Sequence, residues 1–273
     1  MNLARRDFIK TTMTASAAAV AFGSSAKSHA ATAPAGSPGG SREYYEIRSY
    51  RLKPDAPHAL LDSYLEKAFI PALNRKGIKT VGVFTEPEAK DGPAIWVLIP
   101  HSNLESVAAV AGDLNADPSV REAGADYLMS PGLKNPAFDR VDSWLLVAFQ
   151  GLPQMAVPAF ARTGESRVYE LRTYESFSEV TALKKVEMFN AGEIGVMQEL
   201  NMSPVFYGQA LIGRDLPHLT YMLSSPDRET LAKSWSAFGK HPVWNKLKND
   251  PQYADTVSKI TSRMLKPTSY SQL

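Results

Sequence analysis

A near-repetition constrains this chain more than any other feature: "YYEIRSY" at Tyr44–Tyr50 returns as "VYELRTY" at Val168–Tyr174. Aligning Tyr45 with Tyr169 sets an offset of 124 positions, and the offset persists. Val81 meets Val205 and Pro118 meets Pro242, with no net insertion between them. Chance similarity does not hold one register from a first strand to a late proline, so the chain reads as a tandem duplication.

Each half spells the same order of elements. "YYEIRSYRL" alternates as a strand does. "HALLDSYLEKAFIPALNRKG" places Leu61, Tyr64, Leu65, Ala68, Phe69 and Leu73 at helical spacing, with Gly77 as the stop. "IKTVGVFTE" and "AIWVLIP" are strands joined by a turn-rich segment. The Ser102–Glu105 capping box opens a helix, Asp117-Pro118 a shorter one, and "SWLLVAF" closes the half as a strand. The second half repeats the series, with short-helix capping at His241-Pro242 and a last strand near "RMLKPTSY". β-α-β-β-α-β twice is an α+β class of two tandem ferredoxin-like units. One unit covers only one face of its sheet with helices, so two are expected to pack sheet against sheet as a pseudo-dimeric α/β barrel.

The N-terminus stands apart from this pattern. Arg5 and Arg6, an Ala-rich run and "SHA" ending at Ala30 follow the charged, apolar, small-residue order of a secretory signal, and the adjacent arginines match the twin-arginine (Tat) type. The run is too short and weakly apolar for a bilayer span, which needs about 20 residues. The expected organisation is therefore a signal at 1–30, a leader at 31–42, a first domain at 43–150, a linker at 151–166 and a second domain at 167–273. The expected location is the periplasm or outside the cell, reached through the Tat machinery. Residues 1–30 carry four basic side chains and one acidic. Without them the chain has 26 basic and 27 acidic side chains, a net charge of −1, which gives it no electrostatic reason to seek nucleic acid. With no cysteine in the chain, disulfides and thiolate metal sites are excluded.

With that order and both Tyr-Glu-Ile/Leu-Arg-Ser/Thr-Tyr strands in hand, the chain resembles the NIPSNAP family of the dimeric α/β-barrel superfamily. The aromatic-rich "WSAFGKHPVW" from Trp235 to Trp244 adds to the likeness, which spans Glu43 to about Tyr270 as two family domains. The first half is less typical there, with "LNADPSV" in place of "FGKHPVW". The resemblance implies binding of a small molecule or a protein partner. Superfamily neighbours include cofactor-free monooxygenases and haem-handling proteins, so the fold alone leaves the chemistry open.

Chemistry-bearing residues fall mostly in the repeated strand. Parity separates Tyr45, Ile47 and Ser49 from Glu46, Arg48 and Tyr50, and likewise Tyr169, Leu171 and Thr173 from Glu170, Arg172 and Tyr174. The carboxylate, guanidinium and phenol are expected to face the barrel interior, with the small and apolar set under the helices. Such a trio suits an anionic ligand, although a mutually paired, ligand-free network is the favoured reading, since buried charges are normally paired. Trp235, His241 and Trp244 are the further candidates, because histidine is a poor helix cap where the first half has Asp117. No metal-binding spacing, phosphate loop or nucleophile elbow is present, and no cofactor is evident. An oxygenase or isomerase-like enzyme predicts an enclosed cavity of roughly 300 Å³ or more with converging polar groups. An interaction module, homo-oligomers included, predicts a filled barrel with an apolar patch outside.

Overall fold

The computed structural model describes residues 41–53, 58–129, 136–162 and 165–273. The expected signal, with Arg5, Arg6 and Ala30, lies outside them, as does all of the leader but its last two residues.

The first half contributes β1 (Tyr44–Arg51), β2 (Gly82–Thr85), β3 (Ala94–His101) and β4 (Arg140–Ala148). The second contributes β5 (Val168–Glu175), β6 (Pro204–Ile212), β7 (His218–Ser225) and β8 (Lys259–Pro267). The strands run antiparallel round a closed barrel in the order β1-β3-β2-β8-β5-β7-β6-β4. Each half keeps the ferredoxin-like neighbours, and every strand stands four places from its counterpart. Two seams close the ring: Phe84 and Thr85 pair with Pro267 and Lys266, while Leu146, Val147 and Ala148 pair with Ala210, Gln209 and Gly208. Closure removes the exposed edges each half would otherwise present. The duplication is thus structural: each sheet supplies the surface that dries its twin.

Helices coat the outside. In the first half these are α1 (Ala59–Tyr64) and α2 (Ile70–Arg75), joined through a π-helical turn at Leu65–Phe69, then α3 (Leu104–Ala116), α4 (Pro118–Ala123) and α5 (Ala125–Leu128). In the second they are α6 (Glu179–Met188) and α7 (Ile194–Glu199), joined by a π turn at Phe189–Glu193, then α8 (Arg228–Lys240) and α9 (Pro242–Lys248). The two π turns coincide at the 124-residue offset. α3 begins one residue later than the Ser102 capping box implies, because Asn103 Oδ1 accepts the Ser106 N–H at 2.8 Å. Asp227 does the same for α8, accepting from Thr230 at 2.7 Å.

Inside the barrel, Tyr45 packs on Phe206 and Phe84 on Tyr169, each with ring centroids 4.9 Å apart. The halves place their phenylalanines at staggered levels. Where one half has Gly82 then Phe84, the other has Phe206 then Gly208, and the Phe84 ring lies over Gly82, where a Cβ would meet it at 2.6 Å. A Cβ on Gly208 would lie 2.8 Å from that of Leu146. The segment expected as a linker also works as a floor. Ala156 N–H donates to the Val205 carbonyl at 2.9 Å and Met155 N–H to the Glu43 carboxylate at 2.6 Å, while Met155 and Val157 pack on the interior core.

One expectation is reversed. Tyr45, Ile47, Tyr169 and Leu171 belong to the interior core. Glu46, Arg48 and Tyr50, with Glu170, Arg172 and Tyr174, lie instead between sheet and helices. β1 and β5 are buried on both faces, so polarity alone did not say which face was inner. Around Tyr45 and Tyr169, both 0% exposed, the interior is enclosed by two sheets and takes the apolar set. The sheet–helix layer leaves its charged pairs partly in reach of solvent, which lowers the cost of burying them.

Candidate functional site

The repeated trio forms an equivalent network in each half. Arg48 clasps Glu46 through Nε at 2.6 Å and Nη2 at 3.0 Å, and Ser143 donates to the same carboxylate at 3.0 Å. Burial pushes the Glu46 carboxyl up, but the His101 imidazole 3.7 Å away and the hydrogen-bonded Arg48 guanidinium outweigh it and hold the group down at about 2. In the second half Arg172 and Ser262 each donate to Glu170 at 2.6 Å, and Trp235 Nε1 adds a third bond at 2.6 Å. The Arg172 guanidinium lies 4.6 Å from the centre of the Trp235 ring and donates to the Tyr174 hydroxyl at 3.3 Å.

The second network runs deeper through residues that sequence reasoning missed. Tyr174 and Tyr221 share a hydrogen bond at 2.9 Å. Beside them Lys185 and Glu193 form an ion pair, 4% and 2% exposed. The Lys185 ammonium sits 5.0 Å from the centre of the Phe189 ring and 5.4 Å from that of Trp244. Desolvation drives the Glu193 carboxyl upward even against Lys185. The offset carried a signal for this pair. Lys185 and Glu193 replace Leu61 and Phe69, while Tyr207 and Tyr221 replace Val83 and Val97. The structure thus gathers Glu170, Arg172, Tyr174, Trp235 and Trp244 into one layer. His241 stands apart as a helix cap: its Nδ1 accepts the Val243 N–H at 3.3 Å, and its Nε2 lies 3.1 Å from Glu199. Both layers are packed and mutually paired.

The open space is elsewhere, inside the barrel at the end opposite the floor. Here a cavity of about 490 Å³ opens where β1 and β5 end and β4 and β7 begin. One wall is aromatic. Trp96 and Trp144 lie near-parallel, 20° apart in plane with centroids 6.0 Å apart, flanking Ile47 and Ser49 of β1. Trp96 is fixed by its N–H to Glu86 at 3.0 Å. Trp144 is seated by Gly213, where φ is +147° and a Cβ would fall 2.4 Å from its indole. The opposite wall, on β5 and β7, carries hydroxyls. Thr173 and Thr220 are bonded at 2.9 Å, and Thr220 is 3.2 Å from His218 Nδ1. Burial holds the His218 imidazole down, so it is neutral at physiological pH, and its Nε2 has no hydrogen-bond partner. Charges ring the mouth. Arg263 is held by Glu86 at 2.9 Å and Asp91 at 3.0 Å, Lys259 by Glu175 at 2.8 Å, and both Arg51 and Arg214 approach Asp142. None of these residues was singled out from sequence. Strand ends from both halves meet only on closure, although the parity of Trp96, Asp142 and Trp144 was readable.

Among the described residues no group of three or more His, Asp or Glu side chains is placed to hold a metal ion, and no helix is long and apolar enough to cross a membrane.

The NIPSNAP family model matches residues 45–129 and 169–272, more than half of the chain and both of its halves. The chain belongs to the NIPSNAP family. No curated protein matches this NIPSNAP chain by sequence. Among solved structures it is similar to a candidate monooxygenase from Lactobacillus acidophilus, at TM-score 0.54 and 8% identity, covering 83% of this chain and 94% of that one. A candidate monooxygenase from Fusobacterium nucleatum gives TM-score 0.53 and 8% identity over 83% and 93% of the two chains. A NIPSNAP family protein of unknown function from Agrobacterium tumefaciens matches 38% of this chain and 90% of its own, at 16% identity and TM-score 0.34. At these identities the likeness to the candidate monooxygenases is one of fold.

Proposed function

We propose that this NIPSNAP chain is an exported protein that binds a small molecule in the cup at the open end of its barrel. The observation that carries the reading is the cavity of about 490 Å³, where the barrel could instead have been filled as it is around Tyr45 and Phe84. Its size falls in the ~300–1,000 Å³ range of small-molecule sites, and it combines an apolar wall with a few placed polar groups, as such sites do. Export rests on the Arg5-Arg6 signal with cleavage after Ala30.

An enzymatic extension has one observation in its favour. A neutral imidazole, His218, backs a Thr173–Thr220 hydroxyl pair, the form in which histidine accepts a proton. The oxygenase or isomerase-like alternative would therefore act in this cup and not at the Glu46 or Glu170 networks.

Native mass spectrometry of protein purified from the periplasm tests the reading. The expected result is a chain beginning at Ala31 that carries a small-molecule adduct. A Thr261→Phe variant, which puts a ring into the cup from a half-buried position on β8, should fold and lose the adduct. An adduct retained equally by both proteins would place the ligand elsewhere, and a ligand-free wild-type chain would contradict the reading.

A further inference from the structure

We infer that the cup selects an uncharged aromatic ligand bearing a hydroxyl group, its ring against the indole wall and its O–H among the serine and threonine hydroxyls that face it. This rests on the cup being the ligand site and goes beyond it by naming the ligand class.

The hydroxyl argument comes from the strand register. Ser49 lies between Trp96 of β3 and Asp142 of β4. Its counterpart at the 124-residue offset, Thr173, lies between Thr220 of β7 and Thr261 of β8. All six face the cup. Ser49 is 4% exposed, and neither its Oγ nor Thr261 Oγ1 hydrogen-bonds to another described residue. A buried polar group without a partner is costly, so these two hydroxyls are left for whatever occupies the cup. Beside them runs the Thr173–Thr220–His218 series. It can run in either direction, because each hydroxyl donates and accepts and the neutral imidazole has two tautomers. A ligand hydroxyl also does both and extends the series either way, whereas a ketone or an ether could only accept.

The charge argument comes from counting partners at the mouth, where four cations meet five carboxylates. Arg263 is held by Glu86 and Asp91, Lys259 by Glu175, and both Arg51 and Arg214 lie on Asp142. Asp215, the fifth carboxylate, is exposed on the β6–β7 hairpin and adds to the hold of Glu175 on Lys259. None of the four cations lacks a carboxylate partner, and the surplus carboxylate repels an anion. On the walls, the polar groups outside these ion pairs are hydroxyls and the neutral His218 imidazole, so a cationic ligand would be desolvated there without a counter-ion. An uncharged ring with a hydroxyl incurs neither cost. Both indoles are pinned to receive it, Trp96 by Glu86 and Trp144 against Gly213.

Equilibrium dialysis of the mature protein at neutral pH against 2-naphthol, naphthalene, naphthalene-2-carboxylate and 2-naphthylmethylammonium tests the assignment. The expected order is saturable binding of 2-naphthol, with the other three each weaker by roughly tenfold or more. The double change Ser49→Ala with Thr261→Val removes both unpartnered hydroxyls. It should leave thermal unfolding unchanged and bring 2-naphthol down to the level of naphthalene. Trp144→Ala should weaken 2-naphthol and naphthalene alike. If naphthalene or either ion binds the wild-type chain as tightly as 2-naphthol, the assignment is overturned while the cup remains the site. Undiminished 2-naphthol binding by the double variant would overturn it as well. If no probe binds although Thr261→Phe strips a native adduct, the ligand class is wrong and the site right. A wild-type chain with neither an adduct nor any probe binding would instead fail the underlying reading.

Discussion

Replacing Lys185 with leucine should destabilise the protein by about 3–5 kcal/mol, the cost of removing one partner of a buried ion pair. The change strands Glu193 among Phe189, Tyr207 and Trp244, where it can only take up a proton, and that carboxyl is already driven upward by burial. Adding Glu193→Phe should restore most of the loss. The double variant rebuilds in the second half what the first half already has, Leu61 and Phe69 at 0% and 1% exposure around an equivalent π turn. Buried pairs replaced by apolar groups of similar volume are often neutral or stabilising, so the double variant is compared directly with wild type. Urea unfolding of the two single variants and the double one gives the coupling. A single variant costing under about 1 kcal/mol would mean that the pair is not buried as described. A double variant as unstable as the sum of its parts would break the equivalence of the two helical layers.

Raising the pH past about 11 should unfold the protein cooperatively. Burial raises the phenols of Tyr45, Tyr169, Tyr174, Tyr207 and Tyr221 above the ordinary value of 10. Because their folded values lie above the unfolded one, the stability they contribute is fully present below pH 10. It is lost as the pH rises, when the unfolded chain releases protons that the native state keeps. At pH 11 a phenol that stays fully protonated in the folded state contributes a loss of about 1.4 kcal/mol, so Tyr45, Tyr207 and Tyr221, the three raised furthest, together remove about 4 kcal/mol, a large share of the stability of a typical domain. Tyrosinate absorbance and far-ultraviolet circular dichroism should therefore change together. Titration of these phenols near pH 10 in a folded protein would show that they are reached by water.

Much of the architecture was legible because it is written twice. The repeated strand motif, the constant offset and the βαββαβ order were enough to expect two ferredoxin-like units closed on one another. The faces of β1 and β5 were not legible. Tyr45 and Tyr50 are both buried, one by the opposite sheet and one by helices, so alternation of polarity no longer marks inside from outside. Lys185 and Glu193 could have been found by comparing the halves position by position, where charges replace apolar residues in α6 and in the π turn that follows it. The cup could not. Arg51, Asp142 and Arg214 come from three strand ends in both halves and meet only when the β4–β6 seam closes. His241 shows the opposite error, a residue made interesting by its chemistry whose ring nitrogen serves as an ordinary helix cap.

On the function proposed above, the ligand of this duplicated NIPSNAP chain sits in the barrel and not in the sheet–helix layers that hold the charged motif. A crystal structure of natively expressed protein, with its bound material retained, is the test. The expected result is electron density for a small molecule in the cup, its flat part against Trp96 and Trp144. Density instead in a layer opened beside Tyr174, Tyr221 and Lys185, with only water in the cup, would contradict it.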